Sequence, residues 1–384
     1  MTGNPNKLRD GSDRGRLMTE REPVTTAGVI AMANLEVRIG GYVSRADGGW
    51  LTVGERVEVV ELIALRGQVL GSIADLELAA TLADELVDQV PSDARSFLTR
   101  ARMRGVFHRF ASALTDLDTA AGLGGDSVDL EAERAALYQA LGRYDEALEI
   151  RRPAANTNPD FGTLAALAVL HGERGELDQA ECRFTAAIRR YRGTSPFPLA
   201  MLELQRGKLW IENDDHGRAR AWIASAVRRL PEYVPAQGHL AELDADRGET
   251  SAAIARLRPL ALGSDDPDYA TQLARSLRDD GQTEEAWTWR DKAEARYDEL
   301  LVNHPAAFAD HAAEFWLTIG GDPARALSLA RQNLSVRQTP RSRALVRRSL
   351  AQLPRGRRSR RWLIRGSSGA IVPAAMAPRQ TPAP

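Results

Sequence analysis

The side chains best suited to chemistry are scattered through this sequence. His311 and Glu314 stand three residues apart, a spacing that puts both on one helix face and could supply two ligands to a metal. Two ligands are too few, and polar pairs at i, i+3 are common on helix surfaces. Asp244-Ala245-Asp246-Arg247-Gly248-Glu249 begins like a calcium loop but lacks the third ligand and the acid at the twelfth position. Cys182, the only cysteine, follows Glu181 with no histidine assignable to it, so a packed or idle thiol is expected rather than a nucleophile. There is no Gly-x-Ser-x-Gly elbow, no Gly-x4-Gly-Lys phosphate loop, no His-Glu-x-x-His and no Cys-x-x-Cys. These residues predict no catalytic centre, no metal and no cofactor, and the chain reads as a non-enzyme.

The elements that carry these residues follow from one recurring alanine. Ala79, Ala113, Ala147, Ala180, Ala219, Ala253, Ala286 and Ala326 recur at steps close to 34 residues, so one small unit has been copied end to end. A glycine or turn residue precedes the alanine at Gly142, Gly175, Asp214, Gly248, Gly281 and Gly321. Small residues mark the middle of a preceding helix at Gly67, Ala101, Ala135, Ala168, Gly207, Ala241 and Ala274, and proline closes the unit at Pro91, Pro159 and Pro231. Each unit predicts two helices, A and B, that cross where no larger side chain fits. The eighth unit, around His311–Ile319, fits only if the frame slips by one.

Small in helix A, turn, alanine in helix B, then proline is similar to the tetratricopeptide pattern, and the chain resembles that repeat family over residues 55–340. The consensus tryptophan early in helix A is missing, with Ile63, Phe97, Glu131, Leu164 and Glu203 in its slot. The resemblance implies an all-α fold, an α-solenoid of about eight helix-turn-helix units in a right-handed superhelix with helix A on the concave side. It also implies recognition of an extended peptide or a partner helix, a class of ligand that a preformed curved surface binds at low entropic cost. The lysine and asparagine carboxylate clamp of chaperone-binding members is absent.

The whole chain has a net charge of −1, but Arg341 to Pro384 contains 11 arginines and no acid, which leaves −12 on residues 1–340. Residues 1–27 read as a disordered segment and 28–54 as a packing helix with a linker. Residues 341–353 read as a capping helix and 354–384 as a basic disordered tail. No run of 18 apolar residues occurs, so no transmembrane segment is expected. The weak apolar stretch Ala27–Leu35 disfavours secretion, and a single cysteine fits a reducing compartment, so the expected location is cytoplasmic.

The expected function is a protein-interaction scaffold whose concave groove holds a protein or peptide partner. Groove positions carried over from the resemblance give Arg102, Lys208, Glu242, Arg275, Arg278, His311 and Phe315 as candidate partner-binding residues. Units five to eight are favoured, because charge and aromatic surface mix there and Trp287, Trp289 and Trp316 offer anchors. Two alternatives stand beside it. One is an adaptor that contacts nucleic acid or an anionic membrane through tail residues Arg357, Arg358, Arg360, Arg361 and Trp362. The other is an accessory subunit of an enzyme complex.

Overall fold

The sequence period becomes helix pairs because every unit carries its own start and stop signals. Thr52 accepts a hydrogen bond from the Glu55 amide while the Glu55 carboxylate accepts one from the Thr52 amide, a reciprocal cap that starts the first repeat helix. Asp93, Asp126, Asp160, Asp215, Asp266 and Asp322 cap later helices by accepting from one or two backbone amides of the first turn. The eight turns between paired helices each hold one residue in the left-handed conformation: Gly71, His108, Gly142, Gly175, Asp214, Gly248, Gly281 and Gly321.

The computed structural model describes residues 23–46 and 51–353. It begins with α1 (Gly28–Ala46). Eight A/B pairs follow: α2 (Val53–Leu70) with α3 (Ile73–Gln89), α4 (Ala94–Val106) with α5 (Phe110–Gly122), α6 (Ser127–Leu141) with α7 (Tyr144–Thr157), and α8 (Phe161–Glu173) with α9 (Leu177–Arg190). The array continues with α10 (Phe197–Glu212) and α11 (His216–Arg229), α12 (Val234–Asp246) and α13 (Thr250–Gly263), α14 (Pro267–Asp279) and α15 (Thr283–Asn303), and α16 (Pro305–Leu317) and α17 (Pro323–Val336). It ends with α18 (Pro340–Gln352). The protein is an all-α solenoid of eight helix-turn-helix units in a right-handed superhelix. The tail positions Arg357, Arg358, Arg360, Arg361 and Trp362 lie outside the described residues.

The repeated alanines sit at the crossings. Seven of the eight are fully buried and Ala286 is nearly so. At Gly207 a β-carbon would lie 2.4 Å from Ile223 and 3.2 Å from the Ala219 carbonyl oxygen, so helix A of unit five rides directly on the backbone of helix B. An arginine just before the small residue ties helix A to a B helix, that of its own unit or that of the preceding one. Arg66 pairs with Asp75 at 2.7 Å, Arg100 with Asp116 at 2.8 Å, Arg134 with Asp118 at 2.8 Å, and Arg206 with Glu181. Helices A of neighbouring units also touch each other, as α2 does α4 and α12 does α14, which puts the A helices on the inner side of the curve.

A repeat array is expected to join each unit mainly to its neighbours. Here the superhelix also meets itself along a seam of four regular rungs. The start of α1 packs at Gly28 against Arg229–Pro231. The first-unit turn at Gly71 receives Ser264 Oγ, and Asp265 caps the N-terminus of α3, accepting from the Ile73 amide at 2.6 Å and the Ala74 amide at 3.0 Å. The second-unit turn sends His108 Nδ1–H to the Ala306 carbonyl at 3.0 Å, while Phe107 stacks on His304 at 4.0 Å. The third-unit turn accepts at Leu141 from the Gln338 amide at 3.0 Å, and at Ala140 from Arg337 Nε. Gly142 at this rung is forced twice over: its φ is +84°, and a β-carbon would lie 2.7 Å from the Gln338 carbonyl oxygen.

The seam predicts long-range coupling. Asp265→Ala removes both acceptors from the first turn of α3 and is expected to cost about 1–2 kcal/mol. Hydrogen exchange should accelerate at Ile73 and Ala74, far from the substitution in sequence, and unchanged exchange there would contradict the rung.

Candidate functional site

The A helices of the second half point their inner residues into one shared space. Lys208 comes from α10, Glu242 from α12, Arg275 from α14, His311 from α16 and Arg341 from α18. Their charges interact: Arg341 acts on Lys208, Glu242 and His311, and Arg275 acts on Glu242. Glu173 and Glu212 join from α8 and α10.

Solvent reaches these groups, with Arg275, His311, Glu173 and Glu212 exposed and Lys208 and Glu242 half-buried. Protein nevertheless crowds around several of them closely enough to shift their protonation. That combination belongs to groups on a concave face, where water touches a charge but protein surrounds much of it. Burial, helped by the nearby Arg341, lowers the Lys208 ammonium pKa. Burial raises the Glu173 carboxyl, and Glu212 adds to the effect. Burial raises Asp266 to about 6, with Asp268 beside it. Two other groups keep their charge against burial. Glu242 is held low by a 2.7 Å hydrogen bond with His239, and His311 is held high by Asp310, Asp268 and Asp266.

Four of the seven groove candidates, Lys208, Glu242, Arg275 and His311, thus come together. Arg102 stands apart, bridging Glu61 of unit one at 2.6 Å and Glu133 of unit three at 3.4 Å. Arg278 is exposed and pairs with its neighbour Asp279 at 3.3 Å. Phe315 is a correction: it is fully buried, packed on Tyr297 and Trp316, and presents nothing to a partner. The turn of unit eight is one residue longer, so Ala313 takes the small position and Glu314 the inner one. Phe315 then falls where Leu209 and Leu243 fill the core in earlier units. Of the tryptophan anchors, Trp289 and Trp316 are buried, and only Trp287 is open, at 54% exposure. Trp287 lies on α15, a B helix.

Sequence reading missed Glu173, Glu212 and Arg341. The first two were within reach, since each stands one helical turn beyond an inner position, Val169 and Lys208. Arg341 was not, because α18 has no B partner to fix its register. The two weak metal readings dissolve into ion pairs. Glu314 binds Arg348, and Asp244, buried to 1%, binds Arg220 and Arg256. Among the described residues no group of three metal-ligating side chains is gathered, Cys182 is exposed, and no helix is long and apolar enough to cross a membrane.

No protein-family model matches the sequence, and no curated protein matches it. Solved structures do. The human IFIT1 dimer with m7Gppp-AAAA is similar over 78% of this chain and 72% of its own, with a TM-score of 0.51 and 14% identity. A tetratricopeptide repeat protein from Parabacteroides merdae ATCC 43184 is similar over 62% and 93%, with a TM-score of 0.39 and 16% identity. The Cut9–Hcn1 hetero-tetramer of APC/C is similar over 78% and 67%, with a TM-score of 0.38 and 13% identity. At these identities the likeness is one of fold. The helix pairs and their small-residue crossings give the chain a tetratricopeptide-type solenoid fold.

His108 supplies a pH prediction. Its non-glycine left-handed backbone and its bond to Ala306 hold the third rung, and burial, with Arg337 nearby, lowers its pKa to about 4. An unfolded histidine titrates near 6.5. Between the two values the unfolded chain binds the extra proton, so this group's contribution to stability falls as pH drops from about 6.5 to about 4. Asp266 and His311 respond with the opposite sign, so the difference between wild type and His108→Asn isolates the effect. That difference should reach on the order of 2 kcal/mol at pH 4.5 by denaturant titration. Parallel pH profiles would contradict the assignment.

Proposed function

We propose that this protein is a non-catalytic interaction scaffold that holds a peptide or partner helix against the inner face of units five to eight. The observation that carries this reading is Lys208. Charged groups between the helices are closely paired: Arg66, Arg100, Arg134 and Arg206 each meet a carboxylate. Lys208 has no hydrogen bond or ion pair of its own among the described residues, although it is crowded enough for burial to depress its pKa. Arg275 and Arg341 likewise lack direct partners there. A crowded cation with no carboxylate in direct contact, only the charges of Glu173 and Glu212 at longer range, costs stability, and its retention is explained by a ligand that completes it.

The lining is mixed in sign. Lys208, Arg275 and Arg341 alternate with Glu173, Glu212, Glu242 and Asp310, which suits a polypeptide carrying both charges better than a uniformly anionic polymer. The cytoplasm remains the expected location.

Lys208→Met tests the reading, because it separates binding from folding. Removing an unpaired, desolvated charge should leave the protein as stable as wild type or about 1 kcal/mol more stable. Capture of a cross-linked partner should fall at least fivefold. A variant that keeps full partner capture, or that unfolds, would overturn the role given to Lys208.

A further inference from the structure

The two helices of unit one are not packed along their whole length. They meet near their turn, where a β-carbon on Gly67 would lie 3.0 Å from Leu76. Toward their other ends α2 and α3 leave a cavity of about 310 Å³ between them. Its floor is apolar, made by Val59 and Val60 of α2 and Leu82 and Leu86 of α3, with Val60 and Leu86 each only 2% exposed. A mainly apolar lining with a few polar groups, at a volume of about 300 Å³ or more, is the ordinary form of a small-molecule site.

The polar groups at the mouth are the second observation. Arg56 of α2 and Glu85 and Gln89 of α3 line the same cavity. Arg56 reaches across to α3 but meets no carboxylate there. Its Nη1 donates to Gln89 Oε1, a neutral oxygen, whereas Arg66, Arg100 and Arg206 each cross to an acid. With Oε1 turned toward Arg56, the Gln89 Nε2–H₂ group remains a donor. Glu85 stands one helical turn before Gln89, about 5.4 Å along the axis. It has no hydrogen bond or ion pair among the described residues. A cation and an anion thus face one apolar cavity from opposite helices and do not meet.

A ligand that completes both charges must carry both signs close together and an apolar body behind them. We infer that this cavity is a site for a free α-amino acid with an aliphatic side chain, of the size of leucine. The ligand carboxylate would accept from the Arg56 guanidinium and the Gln89 amide, and its ammonium would donate to Glu85. The side chain would cover Val59, Val60, Leu82 and Leu86. Carboxylate and ammonium share one carbon in such a ligand, which suits donors and acceptor about one turn apart. A fatty acid would set its carboxylate near Glu85 with nothing to offset it, and an alkylamine would do the same with Arg56, so the mouth would select against both.

The test is isothermal titration calorimetry of the full chain with L-leucine, isocaproate, isoamylamine and glycine. Isocaproate lacks only the ammonium of leucine, isoamylamine only the carboxylate, and glycine only the side chain. Leucine should bind about fivefold or more tightly than each of the other three, the upper end of what one exposed ion pair contributes. Arg56→Met should remove most of the advantage of leucine over isoamylamine. Glu85→Gln, at an exposed position, should bring leucine and isocaproate to equal affinity and keeps the test open if Arg56→Met does not fold. No heat of binding at millimolar leucine overturns the site. So does isocaproate that binds the wild type as tightly as leucine, or a preference for leucine that survives Glu85→Gln.

Discussion

Everything in this fold depends on how closely helix A can approach helix B. At Gly207 the facing residues are so near that even a methyl group would collide with Ile223, and the repeated alanines beneath are sealed from solvent. Packing at that distance fixes the crossing angle of each pair, since interdigitated surfaces have few ways to fit. Eight copies of one crossing then add up to one curvature. The arginines beside the small positions reinforce the geometry, each reaching a carboxylate on its partner helix, a neighbouring unit or the turn below.

That curvature is tight enough for the chain to meet itself. Turns of units one to three land on the links that follow units six to eight, and the rung geometry repeats from one contact to the next. Backbone-directed hydrogen bonds, in which a remote carboxylate caps a helix, a histidine bonds a carbonyl and an amide bonds a carbonyl, stand beside apolar packing, since residues of α1–α3 share one hydrophobic cluster with residues of α10–α12 and Phe107 stacks on His304. The hydrogen bonds fix position more than they contribute energy. They also change the character of the array. Stability in an open solenoid is close to a sum over neighbours, whereas here units distant in sequence share hydrogen bonds and respond together.

Closing the curve also creates the interior. Side chains that would stand on an open groove in full solvent are gathered into a confined space, and confinement explains why burial moves Lys208, Glu173 and Asp266 while water still reaches their surroundings. His311 shows the opposite balance, since three carboxylates outweigh its desolvation. The interior is thus a set of charges partly compensated by each other and incompletely by direct contact.

The repeat and its register were legible because they are local. Alanine at the crossing, a left-handed residue at the turn and aspartate at the cap obey rules that act within a dozen residues, so the eight pairs could be read from spacing alone. Lys208, Glu242 and Arg275, each one residue after the small position of helix A, followed from that register once the resemblance said which side is concave. Phe315 did not, because one extra residue in the turn before α17 shifts the helix face, and nothing in the spacing says whether the frame or the turn absorbs it. The seam lay beyond reach for a different reason. Where residue 71 meets residue 264 depends on a small rotation per unit summed over the array, and no pair of residues encodes that sum. Sequence determined the unit and how it is copied. Tertiary structure alone decided that the copies close on themselves, because accumulated curvature is a property of the whole stack.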